Sequence, residues 1–231
     1  MRMSVLQPLP KILKQDLFGR VELIYFNDSS PTPQLAIRRD IGAAKWWVKL
    51  VAIYLARREI GALNQLERQS VALDQFPRIL QRSSNRVVRS YIPGQPLHLH
   101  GAPPQHFFAE LKVLLAKMHA AGVAHNDLAK EPNVLVTPNG QPAIIDMQLA
   151  SRSVFNTRFF RMQCREDYRH LLKHQRTYHP ETLTPQELSL LENKALPAKL
   201  WMLFVKPTYL FVTRRIFKWS DREGAGDRNA N

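Results

Sequence analysis

Residues 123–150 read VAHNDLAKEPNVLVTPNGQPAIIDMQLA, and this stretch decides the fold. Its centre is Thr137-Pro138-Asn139-Gly140, set between the apolar runs Val134-Leu135-Val136 and Ala143-Ile144-Ile145. Asn-Gly between two short β-branched runs predicts a hairpin, because both residues tolerate positive φ. A hairpin fixes distance. It therefore holds the loop carrying Asp127 and Asn133 beside the loop carrying Asp146. Asp and Asn are also common turn residues, and by themselves they would mean no more than that. Their order, the hairpin and the apolar framing set them apart.

Two acids and an amide on adjacent loop ends suit phosphoryl transfer. That reaction needs metal ions on the phosphates and an acceptor hydroxyl held in line, with little covalent chemistry from the protein. Asn133 and Asp146 offer the hard oxygens that Mg2+ prefers. Asp127 would take the proton from the attacking hydroxyl. The order His125-Asn126-Asp127-Leu128, then Asn133, then Asp146 resembles the catalytic loop and metal-binding motif of the protein-kinase-like fold. The wording is closest to bacterial RIO-like and lipopolysaccharide-kinase-like branches. Two departures stand out: Asn133 lies six residues after Asp127 where five is usual, and the third motif reads Asp-Met-Gln. The extra residue is expected to be absorbed at Glu131-Pro132, and Asp146 alone carries the metal role. His125 is expected to be scaffold.

The resemblance implies an α+β, two-lobed protein-kinase-like fold, with a small antiparallel five-stranded N-lobe and a minimal helical C-lobe. The expected division is 1–94, 95–219 and a tail at 220–231. It implies ATP and Mg2+ as cofactors. Residues 13–26 predict two strands turning at Phe18-Gly19-Arg20, with Val21, Leu23 and Tyr25 alternating against Glu22 and Ile24. Gly19 is then either what remains of a phosphate-covering loop or a simple turn. Leu35-Ala36-Ile37-Arg38 sits where the fold carries Val-Ala-Ile-Lys, so Arg38 would contact the nucleotide phosphates, with Lys45 as a substitute if the alignment slips. Arginine binds phosphate as a fork but is not a conservative exchange for lysine.

Residues 45–67 predict a helix. Glu59 on it would pair with Arg38, or else belong to a solvated Arg-Glu face. Trp46, Trp47, Val48, Leu50, Val51 and Ile53 are assigned to the core between lobes, with a membrane-facing surface as the other reading. Phe76–Leu80 and Arg86–Ile92 predict the last two strands. Tyr91-Ile92-Pro93-Gly94 resembles the connector whose backbone would bond adenine, and equally fits a strand ending in a Pro-Gly turn. Residues 105–121 predict a helix with Phe107, Leu111, Leu114 and Met118 on one face, Phe108 and Leu115 beside them, and Gly122 as its stop. His119 on it is taken as structural. Helices are also expected at 164–176, where Asp167 either braces the catalytic loop or is exposed, and from Thr184-Pro185.

The 231 residues carry 33 basic and 19 acidic side chains, a net charge of +14. That balance favours anionic partners without choosing among them. No nucleic-acid motif is present in the sequence. One cysteine, Cys164, excludes an intramolecular disulfide. No secretory signal and no membrane-spanning run is found, so a cytoplasmic location is the expectation. Residues 197–219 mix aromatic and basic side chains. They are assigned to lobe packing, with peripheral contact on an anionic inner-membrane leaflet as the alternative. The small build suggests a Ser/Thr protein acceptor. The alternatives are a phosphosugar acceptor in lipopolysaccharide and a nucleotide-binding pseudokinase scaffold.

Overall fold

The structure is a computed structural model and describes residues 9–27 and 33–192. The expectations for residues 197–219 and the tail lie outside these. Strands β1 (Lys11–Asp16), β2 (Gly19–Phe26) and β3 (Gln34–Asp40) lead through short 3-10 turns at Ile41–Ala43 and Trp46–Val48 into helix α1 (Lys49–Arg68). Strands β4 (Ile79–Arg82) and β5 (Arg86–Ser90) complete a five-stranded antiparallel sheet in the order β1-β2-β3-β5-β4.

Alternation along β2 is real, but the buried members are Glu22 and Ile24, while Val21 and Leu23 stay half-exposed. The two faces of the sheet differ accordingly. Ile24, Ala36 and Val88 form a small apolar cluster on one. On the other, Val87 packs with Ile41, Ala52 and Ala56, which puts α1 on that side. The β1–β2 turn falls at Leu17-Phe18, one residue earlier than expected. Gly19 has φ +128°, and a Cβ there would run into the Asp40 carbonyl. Only glycine tolerates both conditions.

The second part contains β6 (Gln95–Pro96), α2 (Leu97–His100), α3 (Phe107–Ala120), β7 (Val123–Ala124), β8 (Val134–Val136), β9 (Pro142–Ile144), β10 (Ser151–Arg152), α4 (Arg158–Tyr178) and α5 (Pro185–Glu192). The predicted face of α3 is buried in full: Phe107, Phe108, Leu111, Leu114, Leu115 and Met118. These side chains join Leu63 and Leu66 of α1, Val134, Val136 and Ile144 of the hairpin, and Leu171 and Leu172 of α4 in one core. Gly122, at φ +74°, ends the helix as expected.

Trp46, Trp47, Leu50 and Val51 are not core. The buried side of α1 is Ala52, Ala56, Glu59, Leu63 and Leu66, a stripe at helical spacing. Trp46 and Leu50 are 86% and 81% exposed on the other side. Apolar residues nearly all round the helix start left periodicity unable to choose a face.

Helix α5 opens with a reciprocal cap. The Thr184 amide donates to Glu187 Oε2 at 3.0 Å and the Glu187 amide donates to Thr184 Oγ1 at 3.3 Å. Lys112 of α3 and the Tyr168 hydroxyl of α4 also reach Glu187 Oε1, at 2.5 and 2.9 Å. Burial alone would raise the Glu187 carboxyl. Lys112, the Thr184 amide and Tyr168 outweigh it and hold the carboxyl down at about 2. A carboxylate depressed by folding stabilises the fold above its ordinary range, and that contribution is lost as pH falls toward the folded value. Urea unfolding should therefore show stability declining between pH 4.5 and about 2, and Glu187→Gln should flatten that part of the profile.

Candidate active site

Strands β8 and β9 pair with Val134 opposite Ile144 and Val136 opposite Pro142. Gly140, at φ +77°, makes the turn. At the open end the Ile145 amide donates to the Asn133 carbonyl at 3.0 Å. That bond places Asn133 beside the residue that follows Ile145, which is Asp146. A 3-10 turn over Glu131–Asn133, with Pro132 inside it, takes up the extra residue where the sequence indicated. Asn133 then reaches back: its Nδ2 donates to the Asp127 carbonyl at 3.0 Å and to Asp127 Oδ2 at 3.2 Å. The three residues singled out in the sequence are thus brought together. Lys130, which the sequence reading passed over, lies with Nζ 3.1 Å from Asp127 Oδ2.

Helix α4 carries this loop from beneath. Asp167, 1% exposed, accepts from the backbone amides of His125 at 2.7 Å and Asn126 at 2.8 Å. Its Oδ2 also lies 3.1 Å from His119 Nε2. One turn pair further, His174 Nε2 is 2.7 Å from the Leu128 carbonyl, and the Tyr178 hydroxyl donates to Glu131 Oε2 at 2.6 Å. Residues 167, 174 and 178 share one helix face, being seven and four apart. His125 is buried and lies 2.9 Å from the Ile145 carbonyl through Nε2, so it spans the two loop ends as scaffold. The short β7–β10 pair, Ala124 with Ser151, closes the stretch where it enters and leaves.

The other half of the site comes from the sheet, and here the structure corrects the sequence. Arg38 does not meet Glu59. It pairs with Glu22 on the neighbouring strand, Nε to Oε2, at 2.8 Å. Glu59 meets Arg39, Nη1 to Oε2 at 3.9 Å, and Arg89, whose Nη1 bonds Glu59 Oε1. The reason is parity. Successive side chains of a strand point to opposite faces. Arg39 lies opposite Val87, and Ile37 opposite Arg89, so all four share the face that α1 covers. Shifting the reading by one residue turns the cation to the other side. Lys45 is not needed as a substitute.

Burial pushes the Arg39 guanidinium below its ordinary value, opposed by the charges of Asp146 and then Asp16. Burial lowers Arg89 too. Asp146 opposes that, and Arg39 adds repulsion. Both cations are therefore within electrostatic reach of Asp146. Arg39 Nε is buried with no hydrogen-bond partner among the described residues. Arg89 was invisible in the sequence because nothing but strand register marks it.

Asp146 itself is held at φ +64°, a left-handed conformation that Asp tolerates better than most residues, and Gln148 Nε2 donates to its Oδ1 at 2.6 Å. Met147 behind it is fully buried in the same core as Leu63 and Leu66. Arg58 of α1 donates to the carbonyls of Leu149 at 2.8 Å and Ala150 at 3.0 Å. The chain after β5 runs through Tyr91 and Ile92 to Gly94. Ile92 packs with Leu135, Ala143 and Ile145 between sheet and hairpin. A Cβ on Gly94 would lie 3.1 Å from the Val136 carbonyl, so the connector runs close against β8.

A scan against family models and a search of curated proteins find no match. Solved structures do match. The Rio2 kinase from Chaetomium thermophilum is similar over 76% of this chain and 60% of that one, with a TM-score of 0.55 and 15% identity. Its ADP/Mg2+-phosphoaspartate complex is similar over 76% of this chain and 56% of that one, at TM-score 0.56 and 14% identity. The chain has a protein-kinase-like fold. It spans at most 60% of the length of these solved chains. In protein-kinase-like terms the sheet with α1 and the hairpin with α3 and α4 are the two lobes, and the residues just described line their junction.

Asp167→Ala would leave the buried His125 amide and the part-buried Asn126 amide without their acceptor. It should cost at least about 1–3 kcal/mol in urea unfolding, the usual cost of one unsatisfied buried donor.

Proposed function

We propose that the chain is an ATP- and Mg2+-dependent phosphotransferase that moves the γ-phosphate to an acceptor hydroxyl, with a Ser or Thr of a protein as the acceptor. The observation that carries this is the convergence of Asp127, Asn133 and Asp146 with two buried arginines on a protein-kinase-like fold. Supporting it further, one of the solved neighbours is an ADP/Mg2+ complex.

The donor set fits a magnesium ion. Among the described residues no cluster of three His, Cys, Asp or Glu side chains could cage a metal alone. Mg2+ does not require one, because it is commonly held by one or two protein oxygens, with phosphates and water completing the shell. Asn133 spends its Nδ2 on Asp127. Its amide oxygen and the carboxylate of Asp146 would be the ligands. When bound, the ion neutralises charge on the phosphates. Arg39 and Arg89 would do the same. The Arg39 Nε that lacks a partner would donate to a phosphate oxygen, with Glu59 holding both guanidinium groups in place. Asp127, fixed by Asn133, accepts the proton from the acceptor hydroxyl. Lys130, with Nζ 3.1 Å from Asp127 Oδ2, would meet the transferring group. The adenine would lie against Ile92 and Leu135, with the Tyr91–Ile92 backbone as its bonding edge and Gly19 at the rim above the phosphates.

Transfer from γ-labelled ATP should fall by about 10²–10⁴ in Asp127→Ala, the usual contribution of a positioned base. Asp146→Ala should abolish it. Arg39→Ala should weaken nucleotide binding while Arg38→Ala leaves it unchanged, because the Arg38 side chain points to the opposite sheet face and pairs with Glu22. Nucleotide binding without turnover in the unmodified chain would instead establish a scaffold.

A further inference from the structure

The N-terminal half of α1 and the turn before it carry a surface that the proposed reaction does not use. Trp46 is 86% exposed, Leu50 81% and Tyr54 57%. Val51 is exposed beside them. Leu50, Val51 and Tyr54 recur at the three- and four-residue steps that align side chains along one helix edge, opposite the buried Ala52, Ala56 and Glu59. Leu149, partly exposed, adjoins this edge, because Arg58 of the same helix holds its carbonyl.

The charge around the stripe has one sign. Residues 41–58 contain Lys45, Lys49, Arg57 and Arg58 and no acid at all. The first carboxylate after them, Glu59, is buried against Arg39 and Arg89 and cannot offset them at the surface. Lys45 and Arg57 are exposed at the margins, and the Arg58 guanidinium lies 5.6 Å from the Tyr54 ring centroid. Tryptophan and tyrosine at the edge of an apolar strip, with cations flanking it, is the composition of helices lying in a lipid headgroup layer. A protein partner of matching chemistry would need a concave apolar groove ringed with acids. A bilayer containing anionic lipid supplies both features without shape.

We infer that α1 docks this chain on an anionic bilayer surface, with Trp46, Leu50 and Tyr54 entering the headgroup region and Lys45, Lys49 and Arg57 contacting lipid phosphates. The inference is independent of the phosphotransferase reading.

The test is sedimentation of the full-length chain with phosphatidylcholine vesicles, with and without phosphatidylglycerol. Trp46→Glu/Leu50→Glu and Lys45→Glu/Lys49→Glu are run alongside, with thermal melting confirming that each folds. Binding is expected only to the mixed vesicles, weakened by added salt and by at least about tenfold in either variant, since each interfacial charge near an anionic surface contributes about 1 kcal/mol. The chain has four tryptophans. Replacing Trp47, Trp201 and Trp219 by Phe leaves Trp46 as reporter, and its emission should shift to the blue on mixed vesicles. Equal pelleting of the Trp46→Glu/Leu50→Glu variant, as binding through residues 193–231 would give, overturns the inference. So does an unshifted Trp46 emission. A dimer in sedimentation velocity that Trp46→Glu/Leu50→Glu dissolves would assign the surface to a second copy instead.

Discussion

One backbone hydrogen bond, from the Ile145 amide to the Asn133 carbonyl, sets the geometry of the site. It is the last rung of the β8–β9 hairpin, and a candidate site residue stands on each side of it: Asn133 makes it and Asp146 follows it. Asn133 in turn holds Asp127 by two bonds from one amide nitrogen. The grouping of these three residues is therefore a consequence of a three-residue ladder and a tight turn. The loop that carries it could not stay in place unaided, since most of its backbone is outside any ladder. Helix α4 supplies the missing partners through Asp167 and His174, and Tyr178 adds a bond to the Glu131 side chain.

Helix α1 joins this assembly to the sheet through two consecutive residues. Arg58 bonds the carbonyls just beyond Asp146, and Glu59 holds Arg39 and Arg89. A shift of α1 along its axis would disturb both at once. The Glu59 carboxylate is nearly fully buried, so removing it would strand the buried Arg39 and the largely buried Arg89, a far larger penalty than loss of a surface pair. The position of α1 and the spacing of the two arginines from Asp146 thus form one constraint.

Most of this was legible in residues 123–150. The hairpin and the absorption of the extra residue at Glu131-Pro132 follow from turn chemistry there, and α3 with its stop at Gly122 follows from the helical period just before that stretch. Asp167 was legible only as one of two possibilities, because helix periodicity does not say what lies across from a face. The arginine assignment failed for a sharper reason. Matching Leu35–Arg38 to a familiar pattern chose the wrong parity, and in a strand a one-residue error exchanges the faces. Arg89 had no local signal, since its place depends on which residue of β3 it opposes. Trp46 and Leu50 were misassigned because hydrophobicity alone cannot distinguish a core from an exposed apolar surface.

The central claim is that Asp146 and Asn133 form, with Arg39 and Arg89, a single binding place for a metal–triphosphate. Calorimetric titration of ATP into the chain, with and without Mg2+, tests it most directly when repeated on Asp146→Asn, which keeps the side chain's shape. The account predicts binding that Mg2+ strengthens in the unmodified chain and a loss of that Mg2+ dependence in the variant, with the fold unchanged. Binding of ATP that is equally tight with and without Mg2+, and equally tight in Asp146→Asn, would contradict it.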